Sequence, residues 1–204
     1  MSTRSFGEPI LRKEDQRFLT GSGIYIDDID LPDMLHAAIV RSPYAHARIL
    51  SIDTSQAAQL DGVKAVLTYQ DLTLAANPLP LLIPHPALTH PHTQYALAKD
   101  VVRYVGEAVA MVVAVDRYIA EDAASLIDVD YEPLPVISPD HLEVAASPGA
   151  PLIHEDTPRN TAAHFVQQVG DVDGAFASAT HVFERRLRVD RSASQPMETR
   201  GVVA

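Results

Sequence analysis

Cysteine is absent from all 204 residues. No disulfide framework is possible, and there is no thiolate to hold an iron–sulfur cluster or a zinc ion. The absence fits a reducing cytoplasm, which is the expected location. Basic residues are also scarce: 16 Lys and Arg stand against 27 Asp and Glu, a formal net charge of −11. Nucleic acid is therefore not an expected partner, because phosphate binding needs clustered cations. Long apolar runs are missing as well. The longest, Ala108 to Val115, falls far short of the roughly 20 residues a membrane helix needs, so no membrane is expected either. Met1 to Asp15 is polar and charged, without the apolar centre of a targeting segment.

What is present is ordinary for a folded chain. Hydrophobic residues make up 47% and charged residues 21%, which is the balance of a globular protein with a core of useful size. The length suits one large or two small domains.

Residues 1–17 are mixed and unperiodic and read as an N-terminal arm. Thr20-Gly21-Ser22-Gly23 is a turn, and Ile24-Tyr25-Ile26 a short strand closed by the turn formers Asp27 to Pro32. Leu35 to Val40 reads as a buried strand that Pro43 ends. Ile49 to Ile52 is a second strand. Thr54 is the expected N-cap of a short helix, Ser55 to Leu60, with Gly62 as its stop. Val63 to Leu67 is again strand-like. Val101 to Tyr104 and Ala108 to Val115 are two strands around Gly106. Asp116 is the expected cap of a helix over Arg117 to Leu126, whose Ile119, Ala120, Ala123 and Ala124 share one face. Ile127, Val129 and Tyr131 alternate with Asp128, Asp130 and Glu132 as a half-exposed strand. The expected fold class is α/β or α+β, with a mixed sheet over residues 18–137. The helix should pack on a sheet holding both Val109 to Val115 and Ile127 to Tyr131.

Residues 77–95 differ in kind. Five of the 15 prolines fall there, Pro78, Pro80, Pro84, Pro86 and Pro91, together with His85, His90 and His92. That density excludes a regular helix and predicts a long irregular loop. Residues 138–165 are loop-like and read as a linker. From residue 166 onward, Gly170-Asp171 opens a helix over Val172 to Ala179. His181 to Val189 then reads as a strand, with Arg185, Arg186, Arg188 and Arg191 in or near it. The apolar end at Val202-Val203 is an odd place for a domain to stop, so residues 166–204 are expected to be an incomplete domain.

Few motifs point to chemistry. His90 and His92 invite a metal, yet zinc takes three or four ligands and their spacing fits no compact motif; a solvated or interface loop is the better reading. Thr20 to Gly23 lacks the third glycine and following helix of a dinucleotide fingerprint. Asp27, Asp28 and Asp30 lack calcium-loop spacing. Glu198 beside Arg200 reads as a structural ion pair more readily than a general base. No catalytic or metal residue is therefore assigned, and no cofactor-binding residue can be named.

Taken in order, several segments resemble the large subunit of the molybdenum hydroxylases, the xanthine dehydrogenase, aldehyde oxidase and carbon monoxide dehydrogenase family. Gly7 and Arg12 stand at the spacing of its opening arm. Thr20-Gly21 through Tyr25, Asp27 and Asp28 resemble its TG…Y.DD signature. Leu35-His36, Arg41-Ser42-Pro43 and His46-Ala47 resemble its LH…RSP.AHA block, and Gly62 to Val66 its GV.AV strand. Leu97-Ala98, Asp100, Val102-Arg103-Tyr104, Gly106-Glu107 and Val109-Ala110 resemble LA.D.VRY.GE.VA. Val129 to Pro135 resembles VDYE.LP. Gly170-Asp171 and Pro196-Met197-Glu198 resemble the opening of the next domain.

The resemblance implies a hammerhead domain over residues 18–137, then, from 166, the start of a molybdopterin-binding domain. It implies that the complete enzyme oxidises aldehydes, N-heterocycles or carbon monoxide through a molybdenum–molybdopterin cofactor, in a cytosine dinucleotide form. FAD-binding and 2Fe-2S subunits are implied as partners, along with the remainder of the large subunit. The Gly-rich cofactor loops and catalytic glutamate of that family have no match here, so the chain alone is expected to hold no cofactor and to be inactive. It would then serve structure and subunit contact. The alternative is a non-enzymatic hammerhead-type module that binds a partner protein.

Overall fold

The computed structural model describes residues 7, 9, 11–137, 142–187, 189 and 192–204. The chain divides into two compact units, one made of residues 1–32 with 180–204, the other of residues 33–179. Parts of the expected arm (1–6, 8 and 10), of the linker (138–141) and of the last strand (188, with Arg191 beyond it) lie outside the described residues.

In the first unit, helix α1 spans Asp15–Leu19 and Phe18 stacks on Tyr25 with ring centroids 6.0 Å apart. The strand expected at Ile24–Ile26 is absent. Ile26–Asp28 is a 3₁₀ turn instead, because Asp28 Oδ2 accepts from Tyr25 N at 2.9 Å and closes the chain locally. The carboxylate outcompetes a ladder for which the described residues offer no neighbouring strand. His181 to Leu187, within the expected strand His181 to Val189, forms no strand. Among the described residues of this unit no strand lies beside it, and a lone strand cannot satisfy its backbone. Phe183, Leu187 and Val189 are exposed.

The second unit holds β1 (His36–Arg41), β2 (Ala47–Asp53), α2 (Ser55–Ala58), β3 (Val63–Thr68), β4 (Val101–Val102), β5 (Ala108–Ala114), α3 (Arg117–Ser125), β6 (Asp128–Pro133), α4 (Leu142–Ala145) and α5 (Val172–Ser178). Two three-stranded sheets result, ordered β1-β5-β3 and β4-β2-β6. Every ladder among the described residues is antiparallel. The α+β form of the expected class is the one realised.

One packing expectation fails. β5 and β6 lie in different sheets, and α3 packs chiefly on β1 and β5. The nine-residue helix carries the chain from one sheet to the other, so its two flanking strands never pair. One core cluster gathers Ala57, Ala110, Val112, Ala123 and Ile127; the other gathers Ala47, Ala98, Val102 and Val109. Ile52 and Val129, both from the second sheet, pack against both clusters and tie the sheets together.

The local signals around α3 act as expected. Asp116 Oδ1 accepts from Tyr118 N at 2.7 Å, the side-chain cap that satisfies a free helix N–H. Thr54 does not cap α2; Asp53 Oδ1 takes the Ser55 N–H at 2.9 Å instead, its carboxylate held below the usual range by that bond. Gly62 adopts φ +89°, and a Cβ there would stand 2.9 Å from Ile119 Cδ1. The positive φ demands glycine at the turn into β3, and the close Ile119 side chain adds to the preference. The expected strand Val101–Tyr104 shortens to two residues because Arg103 and Tyr104 turn away into side-chain contacts.

Two substitutions test the packing. Ala123 is fully buried, so Ala123→Asp should lower the unfolding free energy by ~3–5 kcal/mol, the cost of an uncompensated buried charge. Asp116→Ala should cost about 1 kcal/mol by loss of the cap. Urea unfolding measures both, and an Ala123→Asp midpoint equal to the wild type would contradict the placement of α3 on β5.

Candidate binding groove

The Pro-rich loop does not wander free. Leu79 N donates to Gln94 O at 2.8 Å, Thr93 Oγ1 donates to Leu79 O at 2.5 Å, and Leu88 bridges Ala163. Together with a strap of residues 151–163, it walls a groove of about 1280 Å³. The floor comes from the start of β2 and from the turn between β4 and β5. His46, Arg48, Lys99, Arg103, Glu107 and His154 all line it.

Asn160 fastens the strap to itself. Its Oδ1 accepts from Ile153 N at 2.9 Å, and its Nδ2 donates to Ala145 O at 3.0 Å and Pro151 O at 2.9 Å. Asn160 sits at φ 52°, next to Arg159 at φ 58°, in the left-handed region that asparagine tolerates better than most residues. Thr89 N and His90 N both donate to Ala162 O, which joins strap to loop.

Beneath the strap, Arg103 Nε donates to Ile153 O at 3.1 Å and Arg103 N donates to Glu107 Oε2 at 2.6 Å. Glu107 is buried, at 6% exposure. Tyr104 donates to Gln94 Oε1 at 2.8 Å. Burial, then the Glu107 carboxylate, push that phenol above its ordinary value, so it remains a donor. His46 is buried with Nδ1 2.8 Å from Pro135 O. The His92 and His154 rings stack face to face, centroids 3.9 Å apart and 5° from parallel.

The three loop histidines part company. His85 Nδ1 accepts from Ala87 N at 3.1 Å, His90 Nδ1 lies 2.9 Å from Thr89 Oγ1, and His92 alone turns into the groove wall. Among the described residues no three His, Asp or Glu side chains converge as metal ligands. His92 Nε2 lies 2.8 Å from Thr157 Oγ1 and 3.0 Å from Asp156 Oδ1. These are the residue types of a nucleophile relay, but both oxygens meet the same ring nitrogen. Asp156 competes with Thr157 for it instead of orienting the ring from Nδ1, and Thr157 is only 3% exposed. The trio locks structure and does not activate a hydroxyl. In the other unit, Glu198 Oε1 accepts from Ile26 N at 3.0 Å; it fastens backbone, as a structural carboxylate does.

Sequence reading passed over Arg103, Glu107, His154, Asp156, Thr157 and Asn160 as site formers. Arg103 and Glu107 stood only as part of a family-like block, and for the strap the local signal was the polar run His154-Glu155-Asp156-Thr157 within a loop. What makes them a site is the long-range approach of strap to loop.

The geometry defines an α+β scaffold that presents a groove with apolar walls and charged groups in its floor. Residues 20–135 match the family model for the aldehyde oxidase and xanthine dehydrogenase a/b hammerhead domain, and residues 153–204 match that for a molybdopterin cofactor-binding domain. The chain belongs to the aldehyde oxidase and xanthine dehydrogenase family of molybdenum hydroxylases. It is 41% identical to the nicotine 6-hydroxylase large subunit of Paenarthrobacter nicotinovorans, over 97% of this chain and 24% of that protein. It is 43% identical to the carbon monoxide dehydrogenase large chain of Afipia carboxidovorans, over 95% of this chain and 24% of that one. Among solved structures, aldehyde oxidoreductase from Desulfovibrio gigas matches with a TM-score of 0.70 at 32% identity, over 83% of this chain and 19% of that chain. A Cu,Mo-CO dehydrogenase matches at 0.64 and 43%, over 84% and 22%. The chain thus spans about a quarter of the length of the large subunits it matches.

Glu107 supplies the test of the groove floor. Glu107→Ala should destabilise by about 2–3 kcal/mol, because the Arg103 N–H loses a charged acceptor. Glu107→Gln, which keeps an oxygen in reach, should cost less. Chemical denaturation of both variants checks the ordering, and equal costs would mean that the acceptor is not what matters.

Proposed function

We propose that this chain is the N-terminal portion of the large subunit of a molybdenum-dependent oxidoreductase and acts there as scaffold and subunit contact. The observation that carries the reading is alignment of nearly the whole chain, in order, with large subunits of enzymes named for nicotine 6-hydroxylation and for carbon monoxide dehydrogenation. The hammerhead domain takes residues 18–137, 138–165 is the linker, and 166–204 opens the cofactor-binding domain. Matches at 20–135 and 153–204 support the order of a hammerhead domain followed by a cofactor-binding segment, the second match starting within the linker span. The substrate class is an aldehyde, an N-heterocycle or carbon monoxide. The complete enzyme would work in the cytoplasm with a molybdopterin cytosine dinucleotide cofactor and with FAD-binding and 2Fe-2S subunits.

The residues present do not by themselves make a site for that cofactor. Between 164 and 204 the described side chains are almost all exposed, and the one helix, α5, has seven residues. No cradle of buried donors forms there among the described residues, so no chemical step is assigned to this chain.

Two measurements test the reading. The purified chain should contain far less than stoichiometric molybdenum by elemental analysis. Co-expressed with the complementary three-quarters of a relative's large subunit, it should co-elute with that piece and raise its molybdenum content. A chain that never associates would overturn the assignment and leave the independent module.

A further inference from the structure

We propose that the stacked His92–His154 pair is an acid-sensitive latch, holding the 151–163 strap to the Pro-rich loop while His154 is neutral and releasing it when His154 takes a proton.

The geometry is specific. The two rings lie in full face contact, 3.9 Å apart, one from the loop and one from the strap. The strap's other attachments are Thr89 N and His90 N on Ala162 O, the Leu88–Ala163 bridge, Arg103 Nε on Ile153 O, and His92 Nε2 on Asp156 and Thr157. A proton arriving on His154 meets cationic or cation-forming groups from every element packed on it. The β4–β5 turn contributes the Arg103 guanidinium, the loop His92, and the segment before β2 His46. Asp156 is the opposing charge and is itself engaged with His92 at 3.0 Å. Lys99, Glu107 and Glu155 line the same groove. Glu107 is committed to Arg103 N.

Burial, then Arg103, then His92 hold the His154 imidazole down to about 4, against an ordinary 6.5. The sign follows. Between those two values the fastened strap keeps His154 neutral while a released strap lets it protonate, so release takes up a proton. The hold is complete above about pH 6.5 and weakens steadily as pH falls toward 4. Arg159 and Asn160, both at positive φ, sit at the end of the released stretch. Their relaxation favours opening. The match to the cofactor-binding domain begins at residue 153, inside the strap, so the latch lies where the second family segment starts.

Amide hydrogen exchange on the full chain at pH 7 and pH 5, corrected for intrinsic rates, reads the latch directly. Protection of Thr89 and His90, whose amides cross to Ala162 O, should fall about twentyfold, the ratio that linkage gives for midpoints near 4 and 6.5, while Val112 in β5 is unchanged. In His154→Phe, which keeps a flat ring against His92, the pH response of those two amides should vanish. An equal loss at Val112, no loss at the strap, or a retained response in His154→Phe would each overturn the proposal. Should the variant fail to fold, the wild-type ring decides: an NMR titration midpoint of His154 near 4 supports the latch, and one at 6.5 or above refutes it.

Discussion

Close approach of small side chains organises this molecule. β5 is the centre of its sheet, and its face toward α3 carries Ala110, Val112 and Ala114, while α3 answers with Ala120 and Ala123. Nothing larger than valine separates the two backbones at these positions. The helix lies close over β5, and its end delivers Ile127 and Val129 into the same core. Because Val129 and Ile52 reach both clusters, the second sheet is set by the first. Dispersion contacts of this kind are individually weak and depend steeply on distance, so a single enlarged or charged side chain at the seam is felt across both sheets.

Much of this was legible in the residues. The Asp116 cap and the alternation from Ile127 to Glu132 are short-range signals, and each is realised within one or two residues; Gly62 serves the turn into β3 and not the end of α2, which stops at Ala58. Strand partnership was not legible. The period-2 pattern states which residues face inward but not which strand lies alongside, and the short α3 connection suggested a neighbour relation that the two-sheet arrangement denies. The failed strands at Ile24–Ile26 and His181–Leu187 teach the converse. Their β-propensity is real, but a strand exists only where a second backbone completes its ladder.

The groove was illegible for a related reason. His92, Arg103 and His154 are separated by tens of residues, and no spacing rule connects them. Proline predicted correctly that the 77–95 loop is irregular, yet irregular does not mean loose. Fixed φ at five positions lowers the entropy lost on ordering the loop, and the strap then supplies its bonds. Among the described residues no buried side-chain nitrogen or oxygen lacks a partner, so the polar interior beneath the strap is fully connected.

The open edges of the two sheets carry a further consequence. β6 shows Asp128, Asp130 and Glu132 outward, β3 carries Lys64, and β4 is only two residues long. Leu50 bulges out of the β2–β6 ladder between Ile49 and Ser51. Charge, brevity and irregularity of this kind deter one molecule's edge from annealing to another's. Of the four edge strands among the described residues only β1, His36–Arg41, has little of this protection, a register shift before its terminal Arg41, so edge pairing between chains is confined to that strand, and the surplus of negative charge opposes it.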